Sequence, residues 1–459
     1  MRFSRKVLPL GCELRNVRVN QKRGIIRQKE RPKVLEPLRV LPVLVCRKGQ
    51  VKDNFMEEKL KQLKKNLKSD VHILKPAIIN EEKDISLLEK RQDKAEAILL
   101  YKPRLGLGDC IIKISEFNLP TIIFNDEGLI CNPLDALEYI YPKENVWVAI
   151  DYQDLNNYLT ALSTKKKLSQ TKILILNADY PHWERFLCRI RGGREAIKNK
   201  LGIDLEYVKS DDVIKRWKNV DEKTASQLAK KWIKEAENIV GAEEKDAISV
   251  ARLYIVMKGL LEEKNAQALT MAYGDNPLPV PCVAYTNLRD EGIPAACEAD
   301  INSLLSMTIM HYIADKPSFM GNVFIDPADE NVIISHCVCP RRMLGYNTKP
   351  APYMLRPYHT EKFTGSLTAF VKMKKGQEIT LWRLSGDLKN MLITKGIVVD
   401  STEYKGGGAY CRVKTKVKIN DPRELVHKAS GNHHVVVYGD YTDQLRKLNE
   451  ILGITTIEV

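Results

Sequence analysis

Residues 291–340 read EGIPAACEADINSLLSMTIMHYIADKPSFMGNVFIDPADENVIISHCVCP, and the predicted architecture changes within this stretch. Before it, apolar strands alternate with amphipathic helices. From residue 319 onward, short strands follow one another with few helices between them. This pattern predicts parallel α/β domains followed by a mostly β domain. The same stretch contains Glu298, Asp326 and His336, and a histidine pair, His433 and His434, follows near the C-terminus. Carboxylates and imidazoles are common metal ligands, so these residues form a candidate metal site.

The alternation upstream of this stretch predicts two α/β domains with right-handed crossovers. In the first we expect strands at 41–46, 71–74, 97–101, 120–124 and 146–150, with helices at 54–66 and 85–95. After a polar break at 163–171, the second has strands at 172–176, 205–208, 268–273 and 283–285 and helices at 183–197, 222–239 and 245–263. We therefore divide the chain into a basic arm (1–36), α/β domains at 37–165 and 166–318, and a mostly β domain at 319–459. In the last, strands are expected at 322–325, 332–334, 366–371 and 379–384.

The net charge of +15 is concentrated at the N-terminus. Residues 1–34 hold eleven Lys and Arg against two Glu, which accounts for nine of the fifteen charges. The arm has no zinc-finger or basic-zipper pattern, so it is interpreted as a solvated arm, a strap between subunits or a weak polyanion contact. A protein that depends on nucleic acid is not expected.

The apolar runs of the chain are shorter than the roughly 20 residues that a membrane span requires. The N-terminus has no signal-peptide core, and the ten scattered cysteines form no disulfide framework. We therefore predict a cytoplasmic protein without a membrane segment.

Glycine and cysteine motifs offer alternative sites. The glycine-containing segments 104–109, 191–194 and 405–408 lack a complete dinucleotide or phosphate-loop pattern and are interpreted as turns. No GxSxG nucleophile motif occurs. Cys337 and Cys339 form a lone CxC, which fits either a metal ligand pair or two small buried side chains near a turn.

The position of Glu298 is predicted from its neighbours. If 283–285 is a strand and Pro294 takes a first helical position, Glu298 lies in or just after the first turn of a helix at the carboxyl edge of a parallel sheet. The helix dipole there favours an ionised carboxylate. Asp300, two residues later, is expected to point elsewhere on the helix.

Asp326 is expected at the end of a strand. His433 and His434 must point to opposite faces of their strand, so only one of them readily reaches a common site. Each residue alone also fits a structural role, as a helix-start charge, a turn residue or a strand-edge imidazole.

Three segments of the C-terminal half resemble the L-fucose isomerase and L-arabinose isomerase superfamily, particularly fucose-isomerase-like proteins of archaea and bacteria. They are ACEADINSLLSMTIMHYIADKPSFMGNVFIDPADENVIISHC (296–337), GQEITLWRLSGD (376–387) and GNHHVVVYGDY (431–441). The resemblance extends over residues 240–459. It implies two Rossmann-like domains before a β domain, an archaeal or thermophilic source, and a homotrimer or homohexamer.

Carried over motif by motif, the resemblance implies metal ligands at Glu298, Asp326 and His434, with Glu298 and Asp326 also acting as base and acid in aldose–ketose interconversion. Mn²⁺ suits such a mixed set, which also differs from the two-histidine, one-carboxylate set of iron oxygenases. Substrate contacts are expected from a further group, His336, Arg383, Asn432 and His433.

Two other function classes remain open at this point. The first is a non-catalytic sugar-binding or regulatory relative, and the second is a polyanion-binding protein that uses the basic arm. The sugar is also open, because Arg341, Arg342 or Arg356 would suit an anionic sugar derivative.

Overall fold

The structure is a computed structural model that describes residues 17–20, 25–28, 35–68, 70–103, 106–124, 134–140, 145–179, 190–272, 277–326, 328–358, 365–403 and 411–459. Two compact units divide the chain. One comprises Leu35–Lys167 with Asp443–Ile451, and the other is built mainly from Leu168–Thr442 with Leu452–Val459. In the basic arm, β1 (Val17–Asn20) pairs antiparallel with β2 (Ile25–Gln28).

The first unit is built on a parallel sheet, as the sequence predicts. Its elements are β3 (Leu38–Val45), α1 (Phe55–Asn66), β4 (Val71–Ile73), β5 (Ala77–Ile79), α2 (Ser86–Glu89), β6 (Ala97–Tyr101), α3 (Gly108–Glu116), β7 (Thr121–Phe124), α4 (Leu134–Ile140), β8 (Val146–Ala149) and α5 (Tyr152–Ser169). The strand order is β4-β3-β6-β7-β8, and β5 also pairs with β3. Every residue of β6 and β7 is buried, which is typical of strands covered on both faces.

Two local predictions for this unit are wrong. The helix expected at 85–95 is the short α2 between two 3-10 turns, because the segment has too few apolar residues for a buried stripe. The polar break expected at 163–171 is largely the end of α5, where Lys166 and Lys167 favour the negative end of the helix dipole.

The second unit begins with another parallel sheet. Its elements up to residue 314 are β9 (Lys172–Leu176), α6 (Gly193–Leu201), β10 (Asp204–Val208), α7 (Ser210–Lys218), α8 (Glu222–Glu235), β11 (Asn238–Ile239), α9 (Glu244–Lys264), β12 (Ala268–Met271), α10 (Cys282–Asp290), β13 (Ala295–Ala296) and α11 (Ile301–Ala314). The strand order is β10-β9-β12-β13. Residues 183–189 of the helix predicted at 183–197 lie outside the described residues, and its last residues belong to α6. The strand expected at 283–285 is instead part of α10, so that prediction is wrong.

The C-terminal part of this unit is mostly β, as predicted. It contains β14 (Phe319–Asp326), β15 (Asn331–His336), β16 (Tyr353–Pro357), β17 (Leu367–Val371), β18 (Glu378–Leu384), β19 (Asn390–Glu403), β20 (Val413–Ile419), α12 (Pro422–Lys428), β21 (His433–Tyr438), α13 (Thr442–Leu452) and β22 (Thr455–Glu458). The strands β18-β21-β14-β15-β20-β19 form a sheet that closes on itself through β18–β19 pairing, with β22 added beside β19. Closure removes free strand edges from the six strands.

Helix α11 connects the parallel sheet to the barrel-like sheet. Its first ten residues, INSLLSMTIM, are all buried, and it packs against β12 and β13 as well as β18 and β21. A helix segment that is buried on all sides requires neighbours on all sides. α11 is therefore held between the two sheets, and this packing fixes the position of the residues that come immediately before it.

Among the described residues, no helix combines the length and apolar character needed to cross a membrane.

Candidate metal centre

The connection between β13 and α11 is short and strained. Glu298 (φ 59°) and Ala299 (φ 52°) both adopt the left-handed conformation, which non-glycine residues rarely do. The helix begins only at Ile301, with Asp300 as its N-cap, whose Oδ1 accepts a hydrogen bond from the Ser303 N–H at 3.0 Å. Glu298 thus precedes the helix, and the prediction that it lies in or just after the first turn is wrong. Backbone strain of this kind concentrates at functional sites.

Asp300 contacts the barrel-like sheet as well as its own helix. Its Oδ2 lies 2.8 Å from His433 Nδ1, and both side chains are buried. Burial alone raises the pKa of Asp300, but the hydrogen bond from His433 and the charges of His433 and Arg383 together hold this pKa well below its usual range. An ionised Asp300 accepts a hydrogen bond from Nδ1–H, which keeps the imidazole proton on Nδ1 and leaves the lone pair of His433 on Nε2. The prediction that Asp300 points elsewhere is wrong.

Glu298 lies between two imidazoles. Its Oε2 is 3.9 Å from His433 Nε2, and its Oε1 is 3.8 Å from His336 Nε2. The centroids of the His336 and His433 rings are 5.3 Å apart. The His433 imidazole therefore lies between two carboxylates, that of Glu298 and the buried one of Asp300. In metal sites, a histidine ligand commonly donates its other ring N–H to a carboxylate, which fixes the orientation of the ring.

His336 also faces Glu298, but its neutral ring has the opposite tautomer to that of His433. Its Nδ1 accepts a hydrogen bond from the backbone N–H of Cys337 at 3.0 Å, so a neutral ring has its proton on Nε2. His336 therefore presents an N–H toward the Glu298 carboxylate, whereas His433 presents a lone pair. The two histidines of the site are chemically different.

A cavity of about 370 Å³ opens beside Glu298 and His433. This volume is within the range of roughly 300–1,000 Å³ found for small-molecule sites. The other lining residues are polar or small: Asp300, Asn322, Arg383, Gly386, Ser430, Gly431 and Asn432. Asn432 Nδ2 donates to Asn322 Oδ1, and Arg383 donates to the His433 carbonyl. The cavity thus combines two carboxylates, an imidazole, two amides and a guanidinium.

Gly431 allows Arg383 to reach this position. A Cβ at residue 431 would lie 2.5 Å from Arg383 Nη2, which is closer than real contacts permit. We expect Gly431→Ala to lower the free energy of unfolding by about 1–3 kcal/mol, measured by urea denaturation. The control is Gly259→Ala, where a Cβ meets nothing within 4 Å and helix propensity favours alanine. Equal stability of the two variants would contradict this role for Gly431.

The structure does not bring Asp326 to the cavity. β14 and β21 pair in a register that places Asn322 opposite His433, and Asp326 is four residues further along, roughly 13 Å away along the strand. The Asp326 carboxylate instead accepts a hydrogen bond from Lys416 Nζ at 2.8 Å. Asp326 does end its strand, as predicted, but at the end remote from Glu298.

His434 points to the opposite face of β21 from His433, as strand alternation requires. Its Nδ1 lies 3.2 Å from the Asn432 carbonyl, and among the residues that the structure describes its buried Nε2 has no hydrogen-bond partner. His433, and not His434, is therefore the histidine that faces Glu298.

Acid sensitivity is expected from His434. Burial, together with the positive charge of Arg383, lowers the pKa of His434 to about 4. In the unfolded chain a histidine has a pKa near 6.5, so between about pH 6.5 and 4 the unfolded chain binds a proton that the folded protein does not bind. The free energy of unfolding therefore decreases as the pH falls through this range. The loss is on the order of 3 kcal/mol.

The free energy of unfolding is measured by urea denaturation in the presence of EDTA across this pH range. We expect it to depend less on pH in His434→Gln than in the wild type. The control His427→Gln removes an exposed imidazole and should keep the wild-type profile. A wild-type slope in His434→Gln would contradict the assignment.

The three arginines considered for an anionic substrate have other partners. Arg341 contacts Glu235, Arg356 contacts Glu403, and Arg342 donates to the carbonyls of Tyr346 and Thr348. Arg383 is the arginine that lines the cavity.

Sequence reasoning missed Asp300 and Asn322. Asp300 had a local signal, because an Asp three residues before Ser303 fits an N-cap and moves the helix start past Glu298. Asn322 had no such signal, since its role depends on strand register. The fold and this cluster define an α/β protein with a candidate metal centre at the edge of a small-molecule cavity.

Among known proteins, the chain is similar to sulfoquinovose isomerases. The chain is 25% identical over 313 residues to the sulfoquinovose isomerases of Priestia aryabhattai and Priestia megaterium. It is 24% identical over 218 residues to that of Alkalicoccus urumqiensis. The first two matches cover 65% of this chain and 66% of the relative, just under two thirds of its length. No protein-family model matches the chain.

Similarity to solved structures is weak. A periplasmic solute-binding protein of an ABC transporter from Actinobacillus succinogenes, with bound D-allose, is 14% identical with a TM-score of 0.16. That match covers 61% of this chain and 93% of the other. Neither fold nor function is inferred from so low a score.

Proposed function

We propose that this protein is a metal-dependent aldose–ketose isomerase. The observation that supports the proposal most strongly is the Asp300–His433–Glu298 series at the wall of the cavity. The similarity to sulfoquinovose isomerases supports the same reaction class. The fucose-isomerase-like resemblance of residues 296–337 is consistent with it.

The residues of the cavity fit a divalent ion such as Mn²⁺. Glu298 and His433 would hold it, with the amide oxygen of Asn322 as a further oxygen donor, which is a mixed set that suits Mn²⁺. This assignment replaces Asp326 and His434 in the ligand set implied by the family resemblance. When bound, the ion would polarise the sugar carbonyl and stabilise the enediolate.

Proton transfer is assigned to Glu298. A carboxylate beside the reacting carbons takes the weakly acidic proton next to the carbonyl and returns it to the neighbouring carbon. The Nε2–H of His336 faces the Glu298 carboxylate. Asn432 and Arg383, which line the same cavity, would bind substrate hydroxyl or anionic groups.

The substrate proposed is a monosaccharide with an acidic substituent. Sulfoquinovose is an aldose that carries a sulfonate, and a guanidinium is well suited to bind such a group. In this proposal Arg383 binds the anionic group of the substrate. It takes the role for which Arg341, Arg342 and Arg356 were candidates from the sequence.

Two alternatives need to be tested. The combination of Glu298, His336 and His433 is itself a two-histidine, one-carboxylate set, so the argument from sequence against an iron oxygenase no longer holds. The His336 tautomer and the isomerase relatives favour the isomerase. A non-catalytic sugar-binding protein would bind the sugar without the ion.

The deciding experiment follows deuterium exchange by NMR. Metal-free protein is supplied with Mn²⁺ in D₂O and given sulfoquinovose, glucose, L-fucose or L-arabinose. The proposal predicts Mn²⁺-dependent deuterium incorporation at the carbon beside the carbonyl and formation of the ketose. Binding without exchange would indicate the non-catalytic alternative, and oxygen uptake with Fe²⁺ would indicate the oxygenase. Light scattering of the same sample tests the predicted homotrimer or homohexamer.

A further inference from the structure

A second cavity, of about 330 Å³, lies beside the one that contains Glu298 and His433, which is called the first cavity below. Gly386 and Ser430 line both cavities and form a shared wall between them. The other polar residues of the second cavity come from the segment before α6, the hairpin between β18 and β19, and the end of α12: Arg191, Ser385, Asp387, Asn390 and Lys428.

Hydrogen bonds of the backbone fix the walls of the second cavity. The Arg191 N–H donates to the Gly386 carbonyl at 2.7 Å, which holds Arg191 beside the hairpin. Within the hairpin, the Ser385 N–H donates to the Asn390 carbonyl at 2.9 Å, and the Asn390 N–H donates to Ser385 Oγ at 3.0 Å. The second cavity is therefore formed without a ligand.

Asp387 is the anionic residue of the second cavity, and it serves the hairpin. Its Oδ1 accepts hydrogen bonds from Ser385 Oγ and from the Lys389 N–H. These contacts tie the carboxylate to its own turn. The negative charge in the lining thus has a structural role that is independent of any ligand.

The two cations of the second cavity are available to a ligand. The Arg191 guanidinium forms no ion pair with any carboxylate that the structure describes. Lys428 Nζ lies 2.8 Å from Glu424 Oε1, but the two side chains are 42% and 41% exposed, and an ion pair at this exposure contributes little. With two cations and one anion, the lining of the second cavity is net positive.

Arg383 continues the positive surface into the first cavity. Its guanidinium lies against Gly431, the residue that follows Ser430 of the shared wall. Guanidinium and ammonium groups bind the oxygens of sulfonates and phosphates through charge-assisted hydrogen bonds. A sugar whose carbonyl lies beside Glu298 therefore meets positive charge at the shared wall and beyond it.

We infer that the second cavity is an oxyanion subsite that takes the sulfonate or phosphate of an acidic sugar, at the end of the sugar remote from its carbonyl. Arg191 and Lys428 bind the oxygens of this group from the second cavity, and Arg383 binds it from the first. Ser430 and Asn390 supply a hydroxyl and an amide donor. The inference rests on the proposed function for the position of the carbonyl, but binding of the oxyanion requires neither the ion nor the reaction.

The experiment compares three sugars that have the glucose skeleton and differ at carbon 6: glucose, sulfoquinovose and glucose 6-phosphate. Their Kd values for the full-length protein are measured by isothermal titration in the presence of EDTA. We expect both anionic sugars to bind at least about tenfold more tightly than glucose, because hydrogen bonds to charged groups contribute more than neutral ones. The tighter anionic sugar identifies the group that the subsite prefers.

Arg191→Gln and Lys428→Gln should each weaken binding of the anionic sugars by about tenfold and leave the affinity for glucose unchanged. Both side chains are exposed, and the hydrogen bond from the Arg191 N–H does not depend on the side chain, so folded variants are expected. Circular dichroism checks this. The control Arg194→Gln removes an exposed arginine of α6 that does not line the second cavity, and it should bind all three sugars as the wild type does.

Anionic sugars that bind no more tightly than glucose, or that do not bind at all, would overturn the inference. So would wild-type affinity for them in both variants, or an equal loss in Arg194→Gln. The titration contains no Mn²⁺, so its result is separate from isomerase activity. A preference for anionic sugars without Mn²⁺-dependent deuterium exchange would support the subsite and reject the isomerase, and exchange without such a preference would do the reverse.

Discussion

Glu298→Gln is expected to reduce the rate of isomerisation by about 10³-fold or more. The change removes the carboxylate that we propose transfers the proton, a role worth roughly 10²–10⁴-fold, and it would weaken the proposed ligand set of the ion. Glutamine has nearly the same shape, so the strained connection between β13 and α11 should persist. The measurement is kcat from the initial rate of ketose formation at saturating Mn²⁺, with circular dichroism as the check of folding.

The matched control is Asp326→Asn. Asp326 is the carboxylate that the family resemblance assigns to the metal, but its partner in the structure is Lys416. This half-buried ion pair lies outside the cavity, so activity close to wild type is expected. If Asp326→Asn were as inactive as Glu298→Gln, the ligand set proposed from the structure would be wrong and the one implied by the resemblance would be restored.

Asp300→Asn is expected to weaken Mn²⁺ binding by about 10–100-fold, as loss of an outer-shell partner typically does. Asparagine keeps the Oδ1 that caps α11, but its amide nitrogen replaces the Oδ2 that accepts from His433. The amide then donates to Nδ1 and holds the imidazole proton on Nε2, where the ion would bind. Isothermal titration of metal-free protein with Mn²⁺ measures the change in Kd.

Asp421→Asn provides the comparison for this variant. Asp421 also caps a helix, accepting from the Glu424 N–H at 2.9 Å, and it is exposed. Both variants preserve a helix cap, and only Asp300→Asn changes the partner of His433. Unchanged Mn²⁺ affinity in Asp300→Asn, or equal weakening in both variants, would reject the role assigned to Asp300.

The parallel sheets and the mostly β C-terminal region were predictable because their signals are local. Strands such as Ala97–Tyr101 and Lys172–Leu176 are short apolar runs, and the long helix Glu244–Lys264 keeps its helical character over many turns. The segment 283–285 was predicted wrongly because three apolar-rich residues fit a strand and a buried helix equally well. Periodicity cannot separate the two at that length.

By itself, the sequence determined the parallel α/β part, the mostly β C-terminal region and the opposite orientations of His433 and His434, and it singled out Glu298 as a candidate site residue. Only the tertiary structure decided which histidine faces Glu298, and it placed Asn322 and Asp300 there in place of Asp326. The physical reason is strand register, since a shift of one residue reverses a side chain and four residues move it roughly 13 Å. Register is set by pairing between strands more than a hundred residues apart, β14 and β21, and local sequence does not encode it.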